Sequence, residues 1–199
     1  VVGDSDKSGS YVRFYPDPEI FEDLNFDYNT IKRRLQETAF LTKGLKISVT
    51  DERTEPFLTK SYHYEGGIKE FVNYINRNKT PIIDTVFYAE GQKDGVYVEV
   101  ALQYNEDYNE NVYSFVNNIN TIDGGTHLIG FRTALTKTIN EYSRKFNILK
   151  ENDKNLSGED VREGLTAVLS IKVTDPQFES QTKVKLGNSE ARSAVDTFI

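Results

Sequence analysis

Residues 96–103 carry the alternation that most restricts the fold of this chain. Apolar side chains occupy every second position of the segment: Val96, Val98, Val100 and Leu102. Because successive side chains of a strand point to opposite faces, the pattern predicts a strand with one buried face. Tyr97 and Glu99 fall on the other face, which predicts a sheet that is covered on one side. Residues 86–90, 112–118 and 166–173 are rich in β-formers and predict further strands.

Amphipathic segments predict helices beside these strands. In residues 68–77 the apolar side chains recur at i, i+3, i+4 and i+7, which is the stripe of a core-facing helix. Residues 128–146 predict the longest helix, with Arg132 off its apolar stripe. Ser157 and Asp160 predict the capping-box start of a short helix, and another helix is predicted from residue 189. The mixture of these elements predicts an α+β protein.

The first third of the chain has weaker patterns. Residues 10–15 consist largely of β-formers and predict a strand that ends at the following Pro-Asp-Pro turn. Residues 31–42 predict a helix capped by Asn29 or Thr30, and residues 45–51 alternate as a strand does. Residues 52–61 are polar and contain Pro56, so they predict a loop and the best candidate for a domain border.

Charge and composition exclude several classes of function. The chain has 24 Lys and Arg against 31 Asp and Glu, a net charge of −7. Contact with nucleic acid therefore requires a local basic patch. The absence of cysteine excludes disulfides and thiolate chemistry, and the 2 histidines lie in no metal-ligand spacing, so no metal site is predicted. No apolar run approaches the ~18 residues of a membrane span, which predicts no membrane partner. Without cysteines the chain needs no oxidising compartment, which fits the cytoplasm.

Two polar segments are candidates for binding chemistry. Gly124-Gly125-Thr126-His127 lies between a predicted strand and the long helix, where a tight turn with a capping residue is one interpretation. The loop at residues 178–183 contains Gln181 and Lys183, and an amide donor beside a point charge suits a phosphate. A solvated loop is the alternative. With 2 histidines, no Ser/His/Asp set is predicted.

Three ordered segments resemble the DNA gyrase B family of bacterial type IIA topoisomerases. They are Tyr62-His63-Tyr64-Glu65-Gly66-Gly67, Phe115-Val116-Asn117-Asn118-Ile119-Asn120-Thr121 with the glycine turn above, and residues 157–166. The resemblance continues through Gln181-Thr182-Lys183 to Glu190 and covers essentially the whole chain. Topoisomerase IV ATPase subunits share much of the pattern and are the alternative within the family.

The resemblance implies the place of this chain in a longer protein, which also fits the start at Val1 and the absence of methionine. Residues 1–65 correspond to the C-terminal edge of a GHKL ATPase sandwich. Residues 66–199 correspond to a transducer domain that resembles domain two of ribosomal protein S-five, with a left-handed crossover. The family's catalytic glutamate and magnesium-binding asparagine are expected before Val1. No catalytic residue is therefore assigned in this chain, and alone it is expected to lack ATPase activity.

The resemblance also implies cofactors, contacts and partners. ATP is the expected nucleotide, with Mg bound outside this chain. Ser10 is expected at the adenine network, Gln181 and Lys183 at the γ-phosphate, and Arg132 at the cavity that receives double-stranded DNA. The implied assembly is an A2B2 heterotetramer with the gyrase A protein, in which the gyrase B protein also dimerises. The implied function couples ATP hydrolysis to strand passage and negative supercoiling; a stand-alone α+β binding module and a kinase-like enzyme are the rivals.

Overall fold

Two β-sheets and five helices form the part of the chain that the structure, a computed structural model, describes: residues 4, 6 and 8–199. In chain order the elements are α1 (Tyr28–Leu41), β1 (Lys46–Asp51), β2 (Leu58–His63), α2 (Ile68–Asn76), β3 (Phe87–Lys93), β4 (Val96–Tyr104), β5 (Asn111–Val116), β6 (Ile119–Asn120), α3 (Thr126–Lys145), α4 (Gly158–Arg162), β7 (Leu165–Lys172) and α5 (Ser189–Phe198). The chain is therefore of the mixed α+β class, as its patterns predict.

The larger sheet has five strands in the order β3-β4-β7-β5-β6. All neighbours are antiparallel except β5 and β7, which run parallel with Asn111 opposite Thr166. A parallel pair needs a crossover connection, and here β6, α3 and α4 lie between the two strands along the chain. Strands β1 and β2 form a separate antiparallel hairpin. Helices α3 and α4 therefore belong to the connection that returns the chain from β6, at one edge of the larger sheet, to β7 at its centre.

Both faces of the larger sheet are covered, so the predicted one-sided sheet is wrong. Val98 and Leu169 belong to one core cluster with α3 and α5, whereas Ala101 and Val168 belong to a second cluster with α1 and α2. The misleading residue is Glu99, which is only 7% exposed. The Tyr88 hydroxyl donates to its carboxylate at 2.8 Å. Burial of the carboxylate is tolerated because it is hydrogen-bonded.

The predicted helices are confirmed, with shifts at their ends. Helix α1 begins at Tyr28, and its N-cap is Asp27, whose carboxylate accepts from the backbone N–H groups of Asn29 and Thr30 at 3.1 Å. The predicted caps are thus its first-turn residues. Helix α4 has the predicted capping box, in which the Asp160 N–H donates to the Ser157 hydroxyl and the Ser157 N–H donates to the Asp160 carboxylate.

Two predictions for the first third of the chain are wrong. Residues 10–15 form no strand, and Tyr11 is 82% exposed. Strand propensity is insufficient without a partner for the backbone groups, and no described strand pairs with this segment. Residues 58–61, predicted as loop, belong to β2. Their polarity reflects an exposed hairpin in which hydroxyl pairs such as Ser48 and Ser61, 2.8 Å apart, face each other across the strands.

Candidate functional site

The polar loop after β7 is attached by its backbone to the glycine turn that precedes α3. The Asp123 N–H donates to the Val184 carbonyl at 3.0 Å, the Leu186 N–H donates to the Gly124 carbonyl at 3.1 Å, and the Thr126 N–H donates to the Leu186 carbonyl at 3.1 Å. These three bonds join residues 184–186 to residues 123–126, and we call this contact the loop–turn junction. A displacement of the loop would therefore act on the first turn of α3.

Gly125 is required at this junction by two independent constraints. Its φ of +133° is a conformation that side-chain-bearing residues rarely adopt. A Cβ atom at this position would also lie 2.5 Å from the Leu186 nitrogen and closer still to the Leu186 carbonyl oxygen. Both of these neighbours are backbone atoms, so a rotamer change cannot relieve the overlap. The turn is therefore built for the close approach of the loop.

The tip of the loop presents Gln181 and Lys183 to solvent. The Lys183 N–H donates to the Ser180 carbonyl at 3.0 Å and closes a tight turn, in which the Ser180 and Thr182 hydroxyls lie 2.7 Å apart. Neither the Gln181 amide nor the Lys183 ammonium has a side-chain hydrogen bond or ion pair within the described residues. Lys185, in contrast, pairs with Glu179 at 3.0 Å. An ordered loop with an uncommitted amide and ammonium at its tip can bind an anion presented by another part of a larger molecule.

The structure brings together two of the three residues that the sequence predicts to contact the nucleotide. Gln181 and Lys183 share one loop tip, as their spacing requires. Ser10 is exposed in a segment without regular secondary structure, and in the described part of the chain no hydrogen bond joins it to that loop. A phosphate fits the donors at the tip. For a divalent cation there is no comparable set, because no group of three or more His, Asp or Glu side chains among the described residues could hold a metal ion.

Arg132 lies on α3 and shares one carboxylate with a second arginine. Its Nε donates to Glu110 Oε1 at 2.8 Å, and Arg162 Nε donates to Glu110 Oε2 at 3.2 Å. The Arg132 side chain nevertheless remains 41% exposed. Sequence reasoning missed Glu110, since it lies 22 residues from Arg132 and 52 from Arg162 along the chain and no local pattern connects them.

Arg132 also lines an open cleft of about 580 Å³ between α3 and the segment around α4. The charged side chains of its lining are Arg132, Lys137, Glu141, Arg144 and Arg162. With Glu110, which pairs with two of these arginines, the group has four cations against two carboxylates and is still a local basic patch on a chain whose net charge is −7. Such a patch is what contact with a nucleic-acid backbone requires.

His127 lies in the first turn of α3 and is completely buried. Its Nε2 lies 3.1 Å from the Thr121 hydroxyl, which in turn lies 2.7 Å from the Ser114 hydroxyl. Burial lowers the pKa of the imidazole to about 4. The residue is therefore a neutral structural group that fixes the start of α3 against strand β5.

The burial of His127 predicts a pH-dependent stability. Between pH 6.5 and about 4 the unfolded chain binds a proton on this imidazole and the folded chain does not, so the free energy of unfolding falls as the pH is lowered through this window. We expect this residue to contribute a loss of about 3 kcal/mol between pH 7 and pH 4. Urea unfolding of the wild type and of His127→Gln at several pH values measures the difference. Equal pH slopes in the two proteins would contradict the assignment.

No helix within residues 4, 6 and 8–199 has the length and apolarity needed to cross a lipid bilayer.

Comparisons of the chain with protein families and with curated proteins agree with each other. The family model described as DNA gyrase B matches residues 67–199. The DNA gyrase B protein of Clostridium acetobutylicum is 61% identical over 199 residues, which is 100% of this chain and 31% of that protein. The protein of the same name from Bacillus cereus is 56% identical over 198 residues, covering 99% of this chain and 49% of its own length. The chain therefore spans about a third to a half of the curated relatives it matches.

Solved structures resemble the chain in the same way. The 43K ATPase domain of Thermus thermophilus gyrase B, in complex with an aminocoumarin, superposes with a TM-score of 0.80 at 36% identity, covering 92% of this chain and 49% of that one. The topoisomerase IV ATP-binding domain of Francisella tularensis superposes with a TM-score of 0.71 at 27% identity, with the same coverage of both chains. The fold of the described residues thus matches roughly half of each ATPase fragment.

Proposed function

Because the chain belongs to the DNA gyrase B family, we propose that it couples ATP binding and hydrolysis in the ATPase subunit of a type IIA topoisomerase to DNA strand passage. The implied outcome is negative supercoiling of DNA in the cytoplasm. The observation that carries the proposal is the loop–turn junction, because it connects a potential phosphate contact at Lys183 to the helix that bears Arg132. A stand-alone binding module would have no need for such a connection.

We assign residues 1–65 to the end of the GHKL ATP-binding domain and residues 66–199 to the transducer domain. The start of the family match at residue 67 supports this division, as does the placement of the two sheets on either side of it. Within the transducer, the β5-β6-α3-α4-β7 segment is the connection to which we assign the left-handed crossover of the ribosomal-protein-like fold.

The proposed coupling uses residues of this chain in a defined order. The Lys183 ammonium and the Gln181 amide hold the loop tip against the terminal phosphate of ATP, which supplies the negative charge that the tip lacks within the chain, while Ser10 belongs to the adenine side of the same site. The loop–turn junction passes the position of the tip to the first turn of α3. Arg132 follows Gly125 by about 10 Å along the helix axis. A nucleotide-dependent contact can thereby bias the arrangement of a DNA-facing surface.

The assembly follows from the same proposal. Two copies of the gyrase B protein would dimerise and place their α3–α4 clefts around the transported double-stranded DNA segment. The gyrase A protein would complete an A2B2 heterotetramer. Mg would be bound by parts of the longer protein outside the described residues, and we assign no metal ligand to the coupling residues of this chain.

Arg132 tests the DNA side of the proposal. In the full-length protein we expect Arg132→Gln to lower the stimulation of ATP turnover by DNA and to leave DNA-free turnover nearly unchanged, because the lost cation is assigned to DNA and not to the nucleotide. The slope of log Kd against log salt should fall in magnitude by about 1. Turnover with and without DNA, at a series of salt concentrations, provides the measurement.

Glu110→Gln is the control, since it removes the ion pairs of Glu110 with Arg132 and Arg162 and keeps the Arg132 cation. It should retain DNA stimulation. If Glu110→Gln and Arg132→Gln lower DNA stimulation equally, the ion pair with Glu110 is the function of Arg132 and its assignment to the DNA cavity is wrong.

A further inference from the structure

A second open cleft lies on the opposite side of the large sheet from α3 and α5. Helix α1, helix α2 and the β5–β6 hairpin form its walls, and its volume is about 630 Å³. Ligand sites for small molecules have volumes of roughly 300 to 1,000 Å³ and combine apolar or aromatic walls with a few polar groups. The coupling proposed above makes no use of this cleft.

Aromatic side chains form the wall of the cleft. Phe40 and Phe71 are buried and stack face to face, with ring centroids 4.7 Å apart. Tyr113 contacts Phe71 at 5.8 Å between centroids and Tyr74 contacts Phe40 at 5.5 Å. Tyr74 and Tyr113 remain 38% and 36% exposed. A planar group that enters the cleft can therefore reach two tyrosine rings that are supported from behind by a rigid stack.

Three arginines and one glutamate supply the charge of the cleft: Arg33, Arg34, Arg77 and Glu37. Arg34 is neutralised by Glu37, since their side chains pair at 2.9 Å. Arg77 lies over the Tyr74 ring at 4.2 Å and donates one N–H to the Tyr74 carbonyl. Within the described residues, Arg33 has no ion pair and neither has Arg77. Two guanidinium groups without an ion pair among the described residues favour an anion at this place.

We propose that this cleft binds a small aromatic anion, which is a planar ring that carries a phosphate or a carboxylate. The ring would stack on Tyr113 and contact the exposed part of Tyr74, whose face Arg77 covers, and the anionic group would pair with Arg33 and Arg77. The aromatic wall favours a small aromatic ligand over an acidic peptide, because a peptide carboxylate would pair with the arginines and leave the tyrosine rings without a partner.

Titration of the 199-residue chain with 1-naphthyl phosphate, followed by amide and side-chain NMR shifts, tests the proposal. We expect saturable shifts at Tyr74, Tyr113 and Ile75, and a Kd at least tenfold lower than for 1-naphthol or for inorganic phosphate, because each of these lacks one of the two recognised groups. Equal affinity for the three compounds, or shifts confined to other surfaces, would overturn the proposal. Tighter binding of a hexaglutamate peptide than of 1-naphthyl phosphate would also overturn it, in favour of a peptide site.

Substitutions test whether Arg33 and Arg77 bind the anionic group of the ligand. Arg33→Gln combined with Arg77→Gln should raise the Kd for 1-naphthyl phosphate at least tenfold, whereas Arg192→Gln, an exposed arginine on α5 at the other face of the sheet, should leave it unchanged. If the double variant is shown by circular dichroism to be misfolded, the single Arg33→Gln variant decides. An unchanged Kd in a folded variant would contradict the assignment of the anionic group to these arginines.

Discussion

Lys183→Ala in the full-length protein is expected to lower the affinity for ATP and its non-hydrolysable analogues by about ten- to a hundredfold and to abolish supercoiling. A charge-assisted hydrogen bond of this kind contributes about 1.5–3 kcal/mol. The affinity for ADP should not change, because ADP has no γ-phosphate for the ammonium to contact. Equilibrium binding of both nucleotides and a supercoiling assay measure the effect.

Lys185→Ala is the matched control, because Lys185 lies in the same loop and is already paired with Glu179. It should retain ATP affinity and supercoiling. An equal loss of ATP and ADP affinity in Lys183→Ala would place Lys183 away from the terminal phosphate. Supercoiling at the wild-type rate in that variant would refute its role.

Gly125→Ala is expected to destabilise the chain by about 3 kcal/mol or more, because the new methyl group overlaps the Leu186 backbone and no rotamer can avoid it. For a domain of this size the melting temperature should fall by roughly 10 °C. Where the variant remains folded, the loop–turn junction should be open and ATP should no longer alter the response to DNA. Thermal unfolding and DNA-stimulated turnover of the same preparation provide both measurements.

Gly95→Ala is the control that measures the cost of a positive φ without any steric overlap. Gly95 also has a positive φ, +79°, but a Cβ there would have no neighbour within 4 Å. We expect Gly95→Ala to lower the free energy of unfolding by only about 1–2 kcal/mol, which is the penalty of a left-handed conformation. If the two variants lose the same stability, the contact of Gly125 with Leu186 is not what the glycine provides.

The elements that the sequence predicts correctly are those whose own residues carry the signal. Helices α2 and α3 have apolar stripes of helical period. In β7 the larger apolar side chains alternate on the face that meets α3 and α5, although its other face is buried as well. The capping box at Ser157 is equally local. Strand β2 has no such signal, since its polar side chains pair across an exposed hairpin, and polarity in isolation indicates a loop.

The site is less predictable, because its defining contacts join distant residues. The sequence pattern predicts an exposed Glu99, because it gives no sign of the hydrogen bond from Tyr88. It likewise predicts an unpaired Arg132, because Glu110 lies in a preceding loop that no local pattern connects to the helix. The donor types of Gln181 and Lys183 indicate a phosphate from sequence. The attachment of their loop to the glycine turn has no such signal, since it depends on backbone bonds that carry no residue signature.

The proposed coupling requires that a phosphate contact at Lys183 alters α3 through the loop–turn junction. Amide hydrogen exchange in the full-length protein, with and without a non-hydrolysable ATP analogue, tests it most directly. We expect the analogue to add protection at Leu186, Thr126 and the first turn of α3, ADP to add none, and Lys183→Ala to lose it. Identical protection in wild type and Lys183→Ala, or no change at the start of α3, would show that Lys183 is not coupled to the helix.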